Sequence, residues 1–137
     1  MSITTLEAAF HATTYRVETT GRCFDLRIGK PDPVFDDFLR VQGVFFWGVF
    51  TACNPGAVQF SVEENQHRQD KLLARLSELD CKFLAACNIP DGSVWPEEPS
   101  CLILQVSEEK LRTLAVEFSQ LAAVCCDVGS TPRLLWF

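Results

Sequence analysis

A short run of almost wholly apolar residues, "VFFWGVFTAC" at positions 44–53, most constrains how this chain can fold. The run is too short to span a bilayer. Its aromatic and β-branched residues are typical of a strand that is covered on both faces. A strand of this kind needs a packed layer on each side of its sheet, so the flanking sequence has to supply those layers.

Helical and strand-like patterns alternate on either side of this run. The predicted helices are "TLEAAFHAT" with Thr4 or Thr5 as its cap, "DPVFDDFLRVQG" with Asp32 as cap and Pro33 at its first turn, "SVEENQHRQDKLLARLSELD", and "EEKLRTLAVEFSQ" with Ser107 as cap. The predicted strands are "YRVETT", "CFDLRIG", "VFFWGVFTA", "CKFLAACNIP", "SCLILQV", "LAAVCCDV" and "RLLWF", and "DGSVWPEEP" is predicted as a loop.

This order predicts the fold class. Helices between strands imply crossover connections, whereas short turns between strands imply antiparallel pairs. We therefore predict an α/β fold of mixed α+β character, in which residues 1–137 form a single globular domain. Its architecture is expected to be a sandwich of one mixed β-sheet, with about six or seven strands and about three or four helices packed on it.

The charge balance excludes some classes of partner. The chain has a net charge of −6 and no run rich in lysine and arginine. Neutralisation of phosphates drives nucleic-acid binding, so we expect neither a nucleic-acid partner nor an anionic membrane surface. A local basic pocket for a small anion stays open, and so does the oligomeric state.

The cysteines and the start of the chain bear on its compartment. The seven cysteines include no CxxC pair and mostly lie in apolar runs, where free cysteine behaves as a small core residue. The first residues have neither the basic start nor the apolar core of a signal peptide. A reducing cytoplasm is therefore the expected location.

A polar stretch in the longest predicted helix raises the question of function. Residues 63–70 include no apolar side chain. At about 100° per residue, Asn65, Arg68 and Gln69 lie on the same face as Leu72 and the leucines that follow it. We therefore predict that this face meets a polar pocket. The alternative is that this end of the helix projects past the sheet into water. His67 is expected on the opposite, outer face.

The loop before this helix favours the pocket. "TACNP", from Thr51 to Pro55, follows the most buried strand, and ligands of open α/β sheets tend to bind beyond the carboxyl ends of strands. Asn54 stands before Pro55, a pairing that predicts a sharp bend. Ser61 and Glu64 fit a capping box at the start of the helix.

A second polar cluster is "VWPEEPS". Trp95 offers a flat apolar surface, and Glu97 or Glu98 could pair with Arg68 or act as a general base. The alternative is an exposed acidic loop. Gln120 is a third polar position, because it either begins the non-helical exit from the last helix or faces solvent.

These clusters carry a family resemblance. "FTACNP", "EENQHRQDKLLARL", "WPEEPSCLILQVS" and "LAVEFSQLAAV" resemble the bacterial family called domain of unknown function 3293, over about residues 15–135. The resemblance implies which positions matter rather than which reaction occurs. The matching positions are Thr51, Ala52, Asn54, Pro55, Asn65, Leu72, Trp95, Glu98 and Gln120.

Three functions remain open. The first is a domain that binds a small polar or anionic ligand, in which Arg68 would suit a carboxylate or phosphate. The second is a hydrolase-like enzyme that uses Glu98 or Glu97 as base with Arg68 in the same pocket. The third is a protein-interaction module that exposes "RLLWF" as an edge strand. The predicted ligand-binding residues are Thr51, Asn54, Asn65, Arg68, Trp95, Glu98 and Gln120.

Other chemistries have weaker support. His11 and His67 stand in unrelated contexts, without zinc-like spacing, so no metal ligands are predicted. Cys53 lies at a strand end but has no histidine near it in sequence to act as its base. No GxGxxG, P-loop or GxSxG motif is present, and no cofactor is expected.

Overall fold

The computed structural model describes residues 2–137. None of the helices in that range is long and apolar enough to cross a bilayer. A short 3₁₀ turn at Pro55–Ala57 follows the third strand. The elements in chain order are α1 (Ile3–His11), β1 (Thr13–Thr19), β2 (Arg22–Leu26), α2 (Pro33–Val41), β3 (Phe46–Phe50), α3 (Val62–Glu78), β4 (Phe83–Pro90), β5 (Glu98–Leu104), α4 (Glu108–Phe118), β6 (Ala122–Asp127) and β7 (Arg133–Trp136).

The predicted helix starts are confirmed for three helices. The side chains of Asp32, Ser61 and Ser107 accept hydrogen bonds from the first-turn amides of α2, α3 and α4. The prediction that Thr4 or Thr5 caps α1 is wrong. Ser2 has the extended backbone of a capping residue and accepts from the Thr5 amide, so the helix begins before the threonines.

The sheet contains all seven strands in the order β2-β1-β4-β5-β3-β6-β7, and every neighbouring pair is antiparallel. The predicted mixed sheet is therefore wrong. The two strands that α3 connects, and the two that α4 connects, do run in the same direction, but they are not neighbours in the sheet. Strand β5 lies between β3 and β4, and β3 lies between β5 and β6. Periodicity along the chain does not reveal which strand lies between two others.

The coverage of β3 on both faces is confirmed. Trp47 and Val49 pack into a core shared with α2, β1 and β2, whereas Phe50 packs into a second core shared with α3 and α4. The sheet is curled into a half-barrel, which corrects the predicted sandwich. Antiparallel sheets twist, and a twisted seven-stranded sheet curls around its core.

Two further features of the fold bear on the predicted functions. Helix α1 has no fully buried residue, and its half-buried Phe10 packs against the core that contains Trp47. The strand β7, which carries the predicted interaction segment, lies at one edge of the sheet.

Candidate functional site

A cavity of about 350 Å³ opens beyond the carboxyl end of β3. Helix α1 and the loop of residues 91–97 form two of its walls, and the start of β6 forms another. Most lining side chains are apolar, which is the usual character of a small-molecule site. The apolar lining includes Leu6, Phe10, Val49, Ala122 and Val124, and the polar lining includes Thr51, Asn54, Asn88, Glu98 and Gln120.

Asn54 is the centre of a hydrogen-bond network at the polar end of this cavity. Its backbone is left-handed, with φ 49° and ψ 56°, a conformation that asparagine tolerates better than most residues. Its backbone amide donates to Asn65 Oδ1 at 2.8 Å, and Asn65 Nδ2 donates back to Asn54 Oδ1 at 2.8 Å. The Phe60 amide donates to the same Oδ1 at 2.8 Å. The network thus ties the bend after β3 to the first turns of α3.

Glu98 joins this network from β5, the strand that pairs with β3. Asn54 Nδ2 donates to Glu98 Oε2 at 2.5 Å, and Trp95 Nε1 donates to the same oxygen at 3.3 Å. Glu98 is the first residue of β5, so the loop predicted over residues 91–99 ends at Glu97 in the structure, two residues earlier than predicted. Its position on a strand fixes the carboxylate at the cavity wall.

The surroundings of Glu98 change its acidity. Burial raises the pKa of Glu98 above its ordinary value, because a carboxylate loses solvation there. The hydrogen bonds from Asn54, Trp95 and Asn88 lower the pKa but do not cancel the effect of burial. Glu98 is therefore more easily protonated than an exposed glutamate.

Thr51 and Gln120 also line the cavity. Thr51 Oγ1 donates to the Pro99 carbonyl at 2.8 Å and accepts from the Cys53 amide at 3.1 Å. Gln120 follows the left-handed cap of α4 at Ser119, so it does begin the non-helical exit. Its Nε2 donates to the Cys53 carbonyl at 3.0 Å. Both side chains hold the bend after β3 in place.

The polar face of α3 lies inward as predicted, but its residues have different roles. Gln69 is 3% exposed, and its Oε1 accepts from the Ala52 amide at 3.1 Å. Arg68 does not line the cavity or pair with Glu98; its guanidinium lies over the Phe60 ring, 4.8 Å from the centroid. His67 is exposed. The structure thus joins Asn65 to the hydrogen-bond network of Asn54, although Asn65 does not itself line the cavity, and leaves Arg68 outside both.

The two glutamates of the acidic cluster are separated by the start of β5. Glu97 is exposed and is not part of the cavity lining, whereas Glu98 is half-buried within it. Adjacent residues of an extended chain point to opposite sides, which accounts for the difference. Of the two candidate bases, only Glu98 reaches the cavity.

Three polar residues of the site were missed from the sequence. Tyr15 is 1% exposed, and its hydroxyl donates to the Phe10 carbonyl at 2.9 Å. Ser100 Oγ donates to Asn88 Oδ1 at 2.7 Å, and both residues are buried. The available signal was a polar residue within an apolar strand, as in "FLAACNIP". A buried polar group needs a partner, and the partner comes from another strand.

Cys53 lines the cavity as a protonated thiol. Burial raises its pKa to about 11, and its Sγ lies 3.6 Å from the Pro99 carbonyl.

We expect iodoacetamide at neutral pH to alkylate the exposed Cys23 at least about tenfold faster than Cys53, because the thiolate is the reactive form. Peptide mapping by mass spectrometry after timed quenching measures both rates in one sample. Equal rates would restore Cys53 as a candidate nucleophile.

No group of three or more His, Cys, Asp or Glu side chains within residues 2–137 is arranged to hold a metal ion.

Comparison with known proteins identifies a family. No curated protein and no solved structure matches the chain. The profile of one family, described as a protein of unknown function (DUF3293), matches residues 50–123, which is more than half of the 137 residues. The matched segment runs from the end of β3 to the start of β6 and includes Asn54, Asn65 and Glu98. The chain belongs to the DUF3293 family.

Proposed function

We propose that this protein binds a small ligand in the cavity beyond β3, with Glu98 as the main polar contact. The observation that carries the proposal is the position of that carboxylate, half-buried in the wall of an otherwise mostly apolar cavity of about 350 Å³. Ligand sites commonly combine apolar walls with a few convergent polar groups.

The construction of the polar end supports a binding role. Asn54 donates to Glu98 through Nδ2 and accepts from Asn65 and Phe60 through Oδ1. The carboxylate therefore has a fixed position before any ligand binds. A contact that is fixed in advance costs a ligand less ordering entropy. Trp95 donates to the same carboxylate and places its ring in the wall.

The expected ligand was polar or anionic, and the charges of the lining residues favour only the first of these two classes. Arg68, the residue expected to bind an anion, lies over Phe60 outside the lining. No lysine, arginine or histidine from residues 2–137 lines the cavity. An anion would meet Glu98 without a compensating cation, so a polar ligand that is not anionic is favoured.

A cavity-filling variant tests the proposal. A panel of metabolites is screened for compounds that raise the melting temperature, since a ligand held at about 100 times its Kd adds about 2.7 kcal/mol to stability. We expect Ala122→Phe to abolish the shift given by each compound, because Ala122 is 7% exposed and lines the cavity. Ala85→Phe, on the exposed face of β4, is the matched control and should keep the shift.

Two results would contradict ligand binding at this place. One is a panel that gives no shift with the unmodified protein. The other is a shift that survives in Ala122→Phe, since a ligand bound elsewhere is indifferent to a filled cavity. Circular dichroism of both variants checks that the fold is kept.

An enzymatic use of the same cavity has one supporting observation. Burial raises the pKa of Glu98, and a raised pKa is common among carboxyl groups that act as general acids or bases. On this hypothesis Glu98→Gln abolishes turnover of a substrate found in the screen even at concentrations that saturate the variant, so that the loss exceeds any weakening of binding. Unchanged turnover would remove Glu98 from the reaction.

A further inference from the structure

We propose that the ligand of this cavity carries a cationic hydrogen-bond donor, such as a protonated amine, which binds Glu98, on an apolar body that fills the rest of the space. This inference rests on the proposed function and names its ligand class. Three observations carry it: the use of the lining donors, the lack of a cation beside Glu98, and the apolar character of the walls.

The polar lining offers acceptors, because several of its donors are already used within the protein. The hydroxyls of Tyr15, Thr51 and Thr13 donate to backbone carbonyls at 2.7–2.9 Å. Asn54 Nδ2 and Trp95 Nε1 both donate to Glu98 Oε2. A ligand that only accepts hydrogen bonds therefore meets few free donors, whereas a ligand that donates meets a carboxylate.

The geometry leaves one oxygen of Glu98 for a ligand. Asn54 and Trp95 both donate to Oε2, and the side chain of Asn88, opposite Glu98 on β4, is a third hydrogen-bonding neighbour of the carboxylate. The other oxygen, Oε1, belongs to the same half-buried side chain in the cavity wall. A donor placed in the cavity can bond to Oε1 while Asn54 and Trp95 keep their contacts with Oε2.

Glu98 forms no salt bridge within residues 2–137, although its carboxylate lies in the wall of the cavity. Arg27 is close enough to Tyr15 for its charge to affect the pKa of the tyrosine, but it does not pair with Glu98. Its guanidinium forms two hydrogen bonds of 2.8 Å to Asp91 instead. A buried carboxylate is stabilised by a cation or becomes protonated. A cationic ligand would supply the missing charge.

The walls define the remainder of the ligand. Leu6 and Phe10 of α1 face Val49 and Val124 of the sheet across the cavity, and Trp95 adds a flat ring. These surfaces suit an aromatic or branched aliphatic body. An ammonium group alone would gain too little apolar contact to bind tightly.

Three probes that share one body test the charge preference. They are phenethylamine, a cation at neutral pH, 2-phenylethanol, which is neutral, and 3-phenylpropionate, an anion. Kd values are measured by protein NMR titration at fixed pH and salt. We expect the amine to bind at least about tenfold more tightly than the alcohol, as for a charge-assisted hydrogen bond, and the anion to bind most weakly.

Variants assign the preference to its residue. Glu98→Gln should bring the amine and the alcohol to within about twofold of each other, because a neutral amide cannot pair with the cation. Glu97→Gln removes the adjacent but exposed carboxylate and should keep the tenfold preference. This control separates a specific contact from the general effect of the net negative charge.

Each outcome decides between the two proposals. If the alcohol binds the unmodified protein as tightly as the amine, and Ala122→Phe abolishes both, the cavity binds ligands and the cationic class is wrong. If the preference survives Glu98→Gln, the charge contact lies elsewhere and the inference falls. If none of the probes binds, the cationic class with this apolar body is wrong, and the metabolite panel decides separately whether the cavity binds a ligand. The comparison of the three probes on the unmodified protein needs no variant to fold.

Discussion

Asn54→Ala is expected to destabilise the protein by about 3–5 kcal/mol. Two effects add. Asn54 is 3% exposed, and its removal leaves the Phe60 amide and Asn65 Nδ2 without the acceptor that each now bonds at 2.8 Å. Alanine is also strained at the left-handed backbone that position 54 requires, with φ 49°. A loss of this size is a large share of the stability of a small domain.

Two matched variants separate these effects. Asn54→Gly accepts the left-handed backbone, so its loss reports the side-chain hydrogen bonds alone. Asn54→Asp keeps the acceptor for Phe60 and Asn65 but places a second carboxylate beside Glu98, where like charges repel. Urea denaturation at neutral pH measures all three. Losses below about 1 kcal/mol for both Ala and Asp would mean that the network does not hold the site.

Gly48→Val is expected to destabilise the protein by about 3 kcal/mol or more. Gly48 lies in the middle of β3, where an added Cβ would stand 2.9 Å from Leu111 Cδ1 and 3.4 Å from Val106 Cγ1. Leu111 is fully buried on α4, so it has no free space to move into. The helix therefore approaches β3 as closely as it does because the strand has no side chain there.

A double-mutant cycle tests the contact. Gly48→Ala alone should cost about 1–3 kcal/mol, although glycine to alanine in a strand otherwise stabilises. Leu111→Ala alone should cost about 2–5 kcal/mol, but the double variant should cost less than the sum by at least about 1 kcal/mol. The new methyl group then occupies space that the leucine has left. Additive losses, or a stabilised Gly48→Ala, would contradict the close contact.

The site was partly predictable because some of its signals are local. The polar continuation of the leucine face placed Asn65 and Gln69 inward and His67 outward, which the structure confirms. The same periodicity placed Arg68 on this face of the helix but did not identify the residue that it contacts. A long side chain can reach several partners, and Phe60, rather than Glu98, is the one beside it.

What the sequence by itself determined were the element types, the three helix caps and the coverage of β3 on both faces. These follow from periodicity and capping, which involve residues close together in the chain. The tertiary structure alone decided the antiparallel strand order, the place of α1 over the cavity, and the contact of Asn54 with Glu98 across 44 residues. The physical reason is that strand neighbours are chosen by the burial of segments distant in sequence, which no local pattern records.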